Sequence, residues 1–259
     1  MIRNLAKKIA DKCGYEVRRK DAMLRELMPT EFDKTERDIV HYIVDNDLSM
    51  TPPERICATI FACKHVVLND IAGDFIECGV WRGGQSLAAK MALEHLGSNK
   101  QVYMFDTFAG MTEPTDADTS NYTDEGTIEK FQREQQSDHN EWAYASLGDV
   151  QNSCKKAGVN MDGIHLIEGD VLKTLEVTDN IPQSVSILRL DTDWYESTLK
   201  ELDILYPKLT IGGAILVDDY GHWDGSRKAV DEYFARDDTA ERPLFHYTDY
   251  SARAGVKVG

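Results

Sequence analysis

The stretch DFIECGVWRGGQSLAAKMALEHLG, residues 74–97, decides the fold class. It opens as a short apolar run, turns through Gly79, Gly83 and Gly84, and continues in a helical pattern closed by Gly97. A glycine just past the last helical residue accepts the left-handed conformation in which helices commonly stop. The same alternation then recurs. QVYMFDTF (101–108), IHLIEGD (164–170), VSILRLDTD (185–193) and GAILVDDYG (213–221) read as strands, with strand cores at 74–80, 102–108, 185–191 and 213–219. STLKELDILYPKL (197–209), GSRKAVDEYFAR (225–236) and residues 148–157 read as helices. So do residues 30–47 and 52–69, the latter with Thr51 as N-cap and Pro52 in its first turn. The polar segment 109–140 reads as a long loop with a helix near 126–136, and LFHYTDY and GVKVG as two short closing segments. Apolar strands alternating with helices predict an α/β fold, a parallel sheet with helices on both faces.

The chain has 259 residues, enough to bury a full core, and a formal charge of −16. So acidic a protein lacks the basic surface that releases counterions from a phosphate backbone, and nucleic acid is excluded as a partner. Five scattered cysteines without a C-x-x-C pair disfavour zinc and disulfides and fit reduced, cytoplasmic thiols. No apolar run reaches the ~18 residues of a spanning helix, and MIRNLAKKIADKCGYEVRRK lacks the apolar core of a secretory signal. This N-terminal stretch carries a net +5, with Ile2, Leu5, Ala6, Ile9, Ala10 and Cys13 at helical spacing. Residues 1–20 therefore suit either peripheral contact with an anionic membrane face or packing against the domain or a partner subunit.

Four acids stand at the ends of two apolar strands: Asp191 and Asp193 in one, Asp218 and Asp219 in the other. In a parallel sheet these ends share one rim. Two carboxylates ~4 Å apart repel by roughly 4 kcal/mol at an effective dielectric of ~20. A divalent cation relieves that repulsion, and oxygen ligands without histidine or cysteine point to Mg²⁺. If the strand stays extended, Asp193 lies ~6.5 Å along the rim from Asp191, on the same face. The competing reading makes the acids caps of the helices that follow.

In open α/β sheets ligands bind beyond the strand carboxyl ends, at the switch point. Gly79 and Gly83 are spaced G-x-x-x-G, unlike the G-x-G-x-x-G of dinucleotide binders. With Glu77 before the turn and Asp106 ending the next strand, the pattern resembles class I S-adenosylmethionine methyltransferases. The blocks GDFIECGVWRGGQS, MFDTFAGM, LRLDTDWYEST, YPKLTIGGAILVDDYG and KAVDEYF resemble, in order, the macrocin O-methyltransferase (TylF-like) family. The resemblance runs from about residue 50 to 255.

It implies a Rossmann-like, mostly parallel sheet of about seven strands and transfer of a methyl group from S-adenosylmethionine to a sugar hydroxyl, assisted by Mg²⁺. It assigns Asp191, Asp218 and Asp219 to the metal, and to Asp193 the role of general base, with His222 as the competing base. Glu77 and Gly79 would meet the methionine end of the cofactor, Asp106 the ribose and Asp170 the adenine, with Gly83 and Ser86 in the same binding turn. Asp170 has a helix cap as its alternative role, and the glycines a tight turn. The expected organisation is a basic segment 1–22, a helical lid or oligomerisation region 23–70 and a methyltransferase domain 71–259, in a chain that forms homo-oligomers. The polar segment 109–142 suits a sugar or glycan acceptor, although Tyr122 and Trp142 keep a catechol or phenol in view. A non-catalytic, membrane-associated binding protein is the remaining alternative.

Overall fold

A computed structural model describes residues 24, 27–237 and 241–259. The basic segment 1–22 and its membrane or subunit contact lie outside the described residues. Two helices come first: α1 (Lys34–Asp45), started by a reciprocal cap between Asp33 and Glu36, and α2 (Pro53–Leu68). The N-cap of α2 is Pro52 rather than Thr51. The Thr51 hydroxyl is taken up by Ser49 and Gln85 instead.

The alternating part follows as β1 (Asp74–Cys78), α3 (Gly84–His95), β2 (Val102–Asp106), α4 (Thr127–Glu134), α5 (Leu147–Ala157), β3 (Ile164–Glu168), a single turn α6 (Val171–Thr174), β4 (Val185–Leu190), α7 (Tyr195–Leu205), β5 (Leu209–Val217), α8 (Asp224–Phe234), β6 (His246–Tyr247) and β7 (Arg253–Val256). The strands form one seven-stranded sheet in the order β3-β2-β1-β4-β5-β7-β6. β1 to β5 are parallel, and β7 runs antiparallel to both β5 and β6. The order reverses between β1 and β4, which is the switch point that opens a ligand crevice.

β5 begins four residues before the expected 213: Leu209 already pairs with Val185, and an irregularity that includes Gly212 (φ +85°) precedes the regular register from Ala214. β1, β2 and β4 each end one or two residues early, where the backbone turns to build the rim. Both faces are apolar. On one, Ile39, Ile43, Ile56, Ile60 and Val66 of α1 and α2 pack with Phe75, Leu87, Leu93, Met104 and Ile187 in one continuous core. On the other, Leu202, Leu205 and Tyr233 of α7 and α8 pack with Ile76, Leu188 and Ile215. Helices α1 and α2 are thus continuous with the sheet's core. The four described cysteines are buried and unpaired. Among the described residues no helix is long and apolar enough to cross a membrane.

Gly79 is the tightest point of the turn after β1. Its φ is +82°, and a Cβ there would stand 2.0 Å from the carbonyl oxygen of Asp191. Gly97 shares the positive φ (+70°) but has open space around it. Gly97→Ala is therefore expected to cost only the left-handed strain, about 1–2 kcal/mol. Gly79→Ala adds a steric clash worth roughly 1–3 kcal/mol more. Urea unfolding of the two variants checks the difference; equal losses would contradict the close approach of the β1 turn to Asp191.

Candidate active site

Strand register assembles the rim. Leu190 pairs with Cys78 on one side and Val217 on the other. The next residues therefore come level: Asp191 N donates to Cys78 O (2.9 Å), and Asp218 N donates to Leu190 O (2.9 Å). Asp106 closes β2, and Gly169 N donates to its carbonyl (2.9 Å), which brings Asp170 to the same edge.

Two cavities open on this rim. One, of about 320 Å³, is lined by Gly79, Asp106 and Asp170 together with the apolar Phe105, Val171 and Leu172. The other, of about 370 Å³, is lined by Arg55, Lys130, Asp218, Asp219, His222 and Tyr250. Asp191, Asp193, Met50, Trp81 and Trp142 line both, so the acids form the wall where the cavities meet.

At that wall Asp191, Asp193 and Asp219 each offer a carboxylate oxygen, all within 4.8 Å of one another. Asp219 Oδ2 is buried and receives no hydrogen bond. Burial pushes the Asp191 carboxyl well up, Asp218 and Asp219 push it further, and Arg189 pulls the other way. Burial and then Asp193 and Asp218 do the same to Asp219. Asp193 is pushed up to about 7, by burial and then by Asp191, against hydrogen bonds from Asp219 and Trp223. Of the three, Asp191 has Arg189 beside it (2.5 Å) while Asp193 and Asp219 have no paired cation among the described residues, and three hard oxygen donors around an acceptor with no partner fit a cation such as Mg²⁺.

Asp218 stands apart from this set. The expectation that it faces a metal meets a different geometry: Oδ1 is held by Arg189 and Oδ2 by Arg55. Asp193 also departs from its expected place. The chain leaves β4 at Leu190, and Asp193 adopts φ +68° rather than an extended conformation, which folds its carboxylate back to Asp219. Four contacts hold this turn. Trp194 N donates to Thr192 O (2.8 Å), the Thr192 hydroxyl to Glu201 (2.8 Å), the Trp194 indole to Thr112 O (2.9 Å) and Tyr195 N to Asp118 (2.7 Å).

The cap reading of the four acids finds no support in the hydrogen bonds. The N-caps of α7 and α8 are Trp194 and Trp223, neither of which makes a side-chain cap bond. Asp118, from the 109–126 loop, supplies the acceptor at the start of α7. Asp170, by contrast, does cap α6 through Leu172 N (2.9 Å) while also lining the first cavity.

Asp106 is committed first to the turn. Its Oδ2 accepts from Val80 N (2.7 Å) and Trp81 N (3.0 Å), and its Oδ1 accepts from Phe108 N (2.8 Å). The Thr107 hydroxyl also lies 3.4 Å from Oδ1 but gives its one proton to Gly110 O (2.6 Å), so of the two lone pairs on Oδ1 one is kept for a ligand. Glu77 lies deeper than expected. It is 1% exposed, lines the second cavity and not the first, and its oxygens are held by Arg189 (2.7 Å) and by the Ser86 hydroxyl. Ser86 and Gly83 line neither cavity: Ser86 serves Glu77, and Gly83 (φ +81°) is the N-cap of α3.

His222 lines the second cavity, stacks on Tyr122 (5.5 Å between centroids) and contacts the Tyr250 hydroxyl through Nδ1 (2.9 Å). Burial, followed by Arg55 and Lys130, disfavours its protonated form. Arg55, Arg189, Asp118 and Glu201 were not singled out from the sequence. A lone arginine inside an apolar strand or an apolar helix face is the signal that marks the first two.

A family model described as macrocin-O-methyltransferase (TylF) matches residues 6–252. Demethyldecarbamoylnovobiocin O-methyltransferase of Streptomyces niveus is 30% identical over 182 residues, 69% of this chain and 64% of that protein. A tetracenomycin-C 4'-O-methyltransferase of Streptomyces olivaceus, acting by its name on the 8-demethyl-8-(2,3-dimethoxy-α-L-rhamnosyl) compound, is 32% identical over 67% of this chain and 63% of that protein. The chain thus spans a little under two thirds of these relatives. The solved structure of the O-methyltransferase NovP superposes with a TM-score of 0.70 at 26% identity, covering 82% of this chain and 83% of that one. With almost the whole length matched to one model, the chain belongs to the macrocin-O-methyltransferase (TylF) family.

Proposed function

We propose that this protein transfers the methyl group of S-adenosylmethionine to a hydroxyl of a sugar, with Mg²⁺ at the rim, in natural-product or surface-glycan biosynthesis. The observation that carries the reading is the pair of cavities that share Asp191 and Asp193 as a common wall. A donor on one side and an acceptor on the other meet at the carboxylates, which is what group transfer requires. The family supports the reaction, and the sugar derivatives in the relatives' names support the acceptor class.

In this reading the first cavity takes the donor. The backbone at Gly79 lets a ligand approach closely, the free lone pair of Asp106 Oδ1 accepts from a ribose hydroxyl, and Asp170 lies near the adenine. Asp191 and Asp219 hold the cation with Asp193 beside them, and Arg189 and Arg55 hold Asp218 behind the cluster. A Mg²⁺ ion held by these residues would lower the pKa of an adjacent hydroxyl. Asp193 takes the acceptor's proton: it faces the second cavity and lies beside Asp191 and Asp219. His222 is engaged by Tyr250 and Tyr122 at the side of that cavity, which favours an acceptor contact over the base role. The lid segment and α2 complete the enclosure, and assembly into homo-oligomers through the N-terminal region belongs to the same proposal.

Two measurements test it. Asp106→Ala is expected to weaken S-adenosylmethionine binding in calorimetry by roughly 1.5–3 kcal/mol, the range for a hydrogen bond to a charged group. Unchanged affinity would remove Asp106 from the donor site. In the second, Mg²⁺ should raise the melting temperature of the wild type and EDTA should reverse the shift and stop turnover. Asp191→Asn and Asp219→Asn should lose the Mg²⁺ shift, with activity partly restored by excess metal. Asp193→Asn should keep a shift yet lose about 10²–10⁴ in kcat, the contribution of a general base. Full activity in EDTA would end the metal reading; a base-loss profile in His222→Ala alone would transfer the proton to His222.

A further inference from the structure

The second cavity is bordered by two basic side chains, Arg55 and Lys130. Arg55 is used up: its guanidinium holds Asp218 and both oxygens of Asp249. Lys130 is not. Among the described residues it makes no ion pair, although the chain carries 45 acidic side chains against 29 basic ones. Glu129, next to it in sequence, makes no ion pair with it, and the two carboxylates whose charge acts on it most, Glu134 and Glu125, are both taken by Arg133 on the same helix α4. The Lys130 ammonium instead sits 3.7 Å from the centre of the Trp142 ring, on the residue that borders both cavities. A cation over an aromatic face keeps its direction without neutralising its charge. Across the same cavity lies His222, with Nδ1 occupied by the Tyr250 hydroxyl.

We propose that the acceptor carries an anionic group, a phosphate or a carboxylate, and that Lys130 is the residue that receives it. This rests on the reading of the second cavity as the acceptor site. In a molecule of net charge −16, long-range fields repel an anionic acceptor, so its binding depends on a local cation that no internal carboxylate has claimed. The Trp142 ring holds that cation beside the Asp191–Asp193 wall, where the reacting hydroxyl would lie. A phosphate places the charge on an activated or phosphorylated sugar; a carboxylate places it on a uronic acid.

The test compares three probes, glucose 1-phosphate, glucuronate and the neutral methyl glucoside, by saturation-transfer NMR titration of the full chain. Wild type is expected to bind at least one anion about tenfold tighter than the neutral sugar, the scale of one charge-assisted hydrogen bond, with the advantage shrinking as salt rises. Lys130→Met should erase that advantage and Lys130→Arg should keep most of it, while the S-adenosylmethionine affinity of both variants stays at the wild-type value. Whichever anion gains names the source of the charge. An equal affinity for charged and neutral probes in wild type, or an advantage that survives Lys130→Met, overturns the proposal. Failure of the methyl-transfer reading shows separately, as absent S-adenosylmethionine binding in the wild type.

Discussion

Arg189 lies in the middle of the sheet, 1% exposed, and its guanidinium reaches Glu77, Asp191 and Asp218 at once. Everything at the rim is arranged around that buried charge. At ~2.7 Å and an effective dielectric of ~20, each such pair attracts by roughly 6 kcal/mol. Against that stand several kcal/mol of lost hydration for every ion taken from water. Networks of this kind contribute little net stability, and well-packed apolar side chains commonly do as well in their place. What Arg189 supplies is a fixed positive point below a row of acids, which allows carboxylates on β1, β4 and β5 to come level without splaying the strands.

Arg55 extends the same charge pattern outward. It belongs to α2, yet it grips Asp218 at the end of β5 and Asp249 in the turn before β7. Asp249 in turn accepts from Ser251 N and Ala252 N, and the Ser251 hydroxyl donates to the carbonyl of Asp218. Helix α2 and a turn from near the chain's end are thereby locked to the edge that carries the acids. The two arginines satisfy Asp218 completely, Arg189 also holds Asp191, and among the described residues Asp193 and Asp219 are left without a paired cation. That division was invisible in the sequence, where the four aspartates look equivalent.

The sheet was legible because a strand buried on both faces must be apolar throughout, and glycine turns punctuate the runs. The start of β5 was harder, since Leu209 already pairs with Val185 while the register breaks around Gly212 before it resumes at Ala214. The rim was legible as a row of acids but not as a geometry. Spacing by two predicts a shared face only while the chain stays extended, and Asp193 sits in a left-handed turn fixed by Thr192, Glu201 and Asp118. The partner that supplies the α7 acceptor lies 77 residues away in sequence, beyond any local pattern. The same applies to Glu77. Its position before the glycine turn marked it as important, but only the fold shows that the arginine two strand residues before Asp191 claims it.

The two cavities draw their walls from different kinds of structure. The first cavity rests on strand ends and the turns that leave them, at Gly79, Asp106, Asp170 and Asp191, with residues 110–118 closing over it. The other side takes its outer wall from the approach to α2, from α4 and the loop before it, and from the turns after β5 and β6. Loops tolerate replacement where strands do not. The second cavity can therefore be reshaped by exchanging peripheral segments while the strand ends beneath the first cavity, and their acids, stay in place. One scaffold of this construction can diversify into a set of enzymes that share a reagent and differ in what they modify.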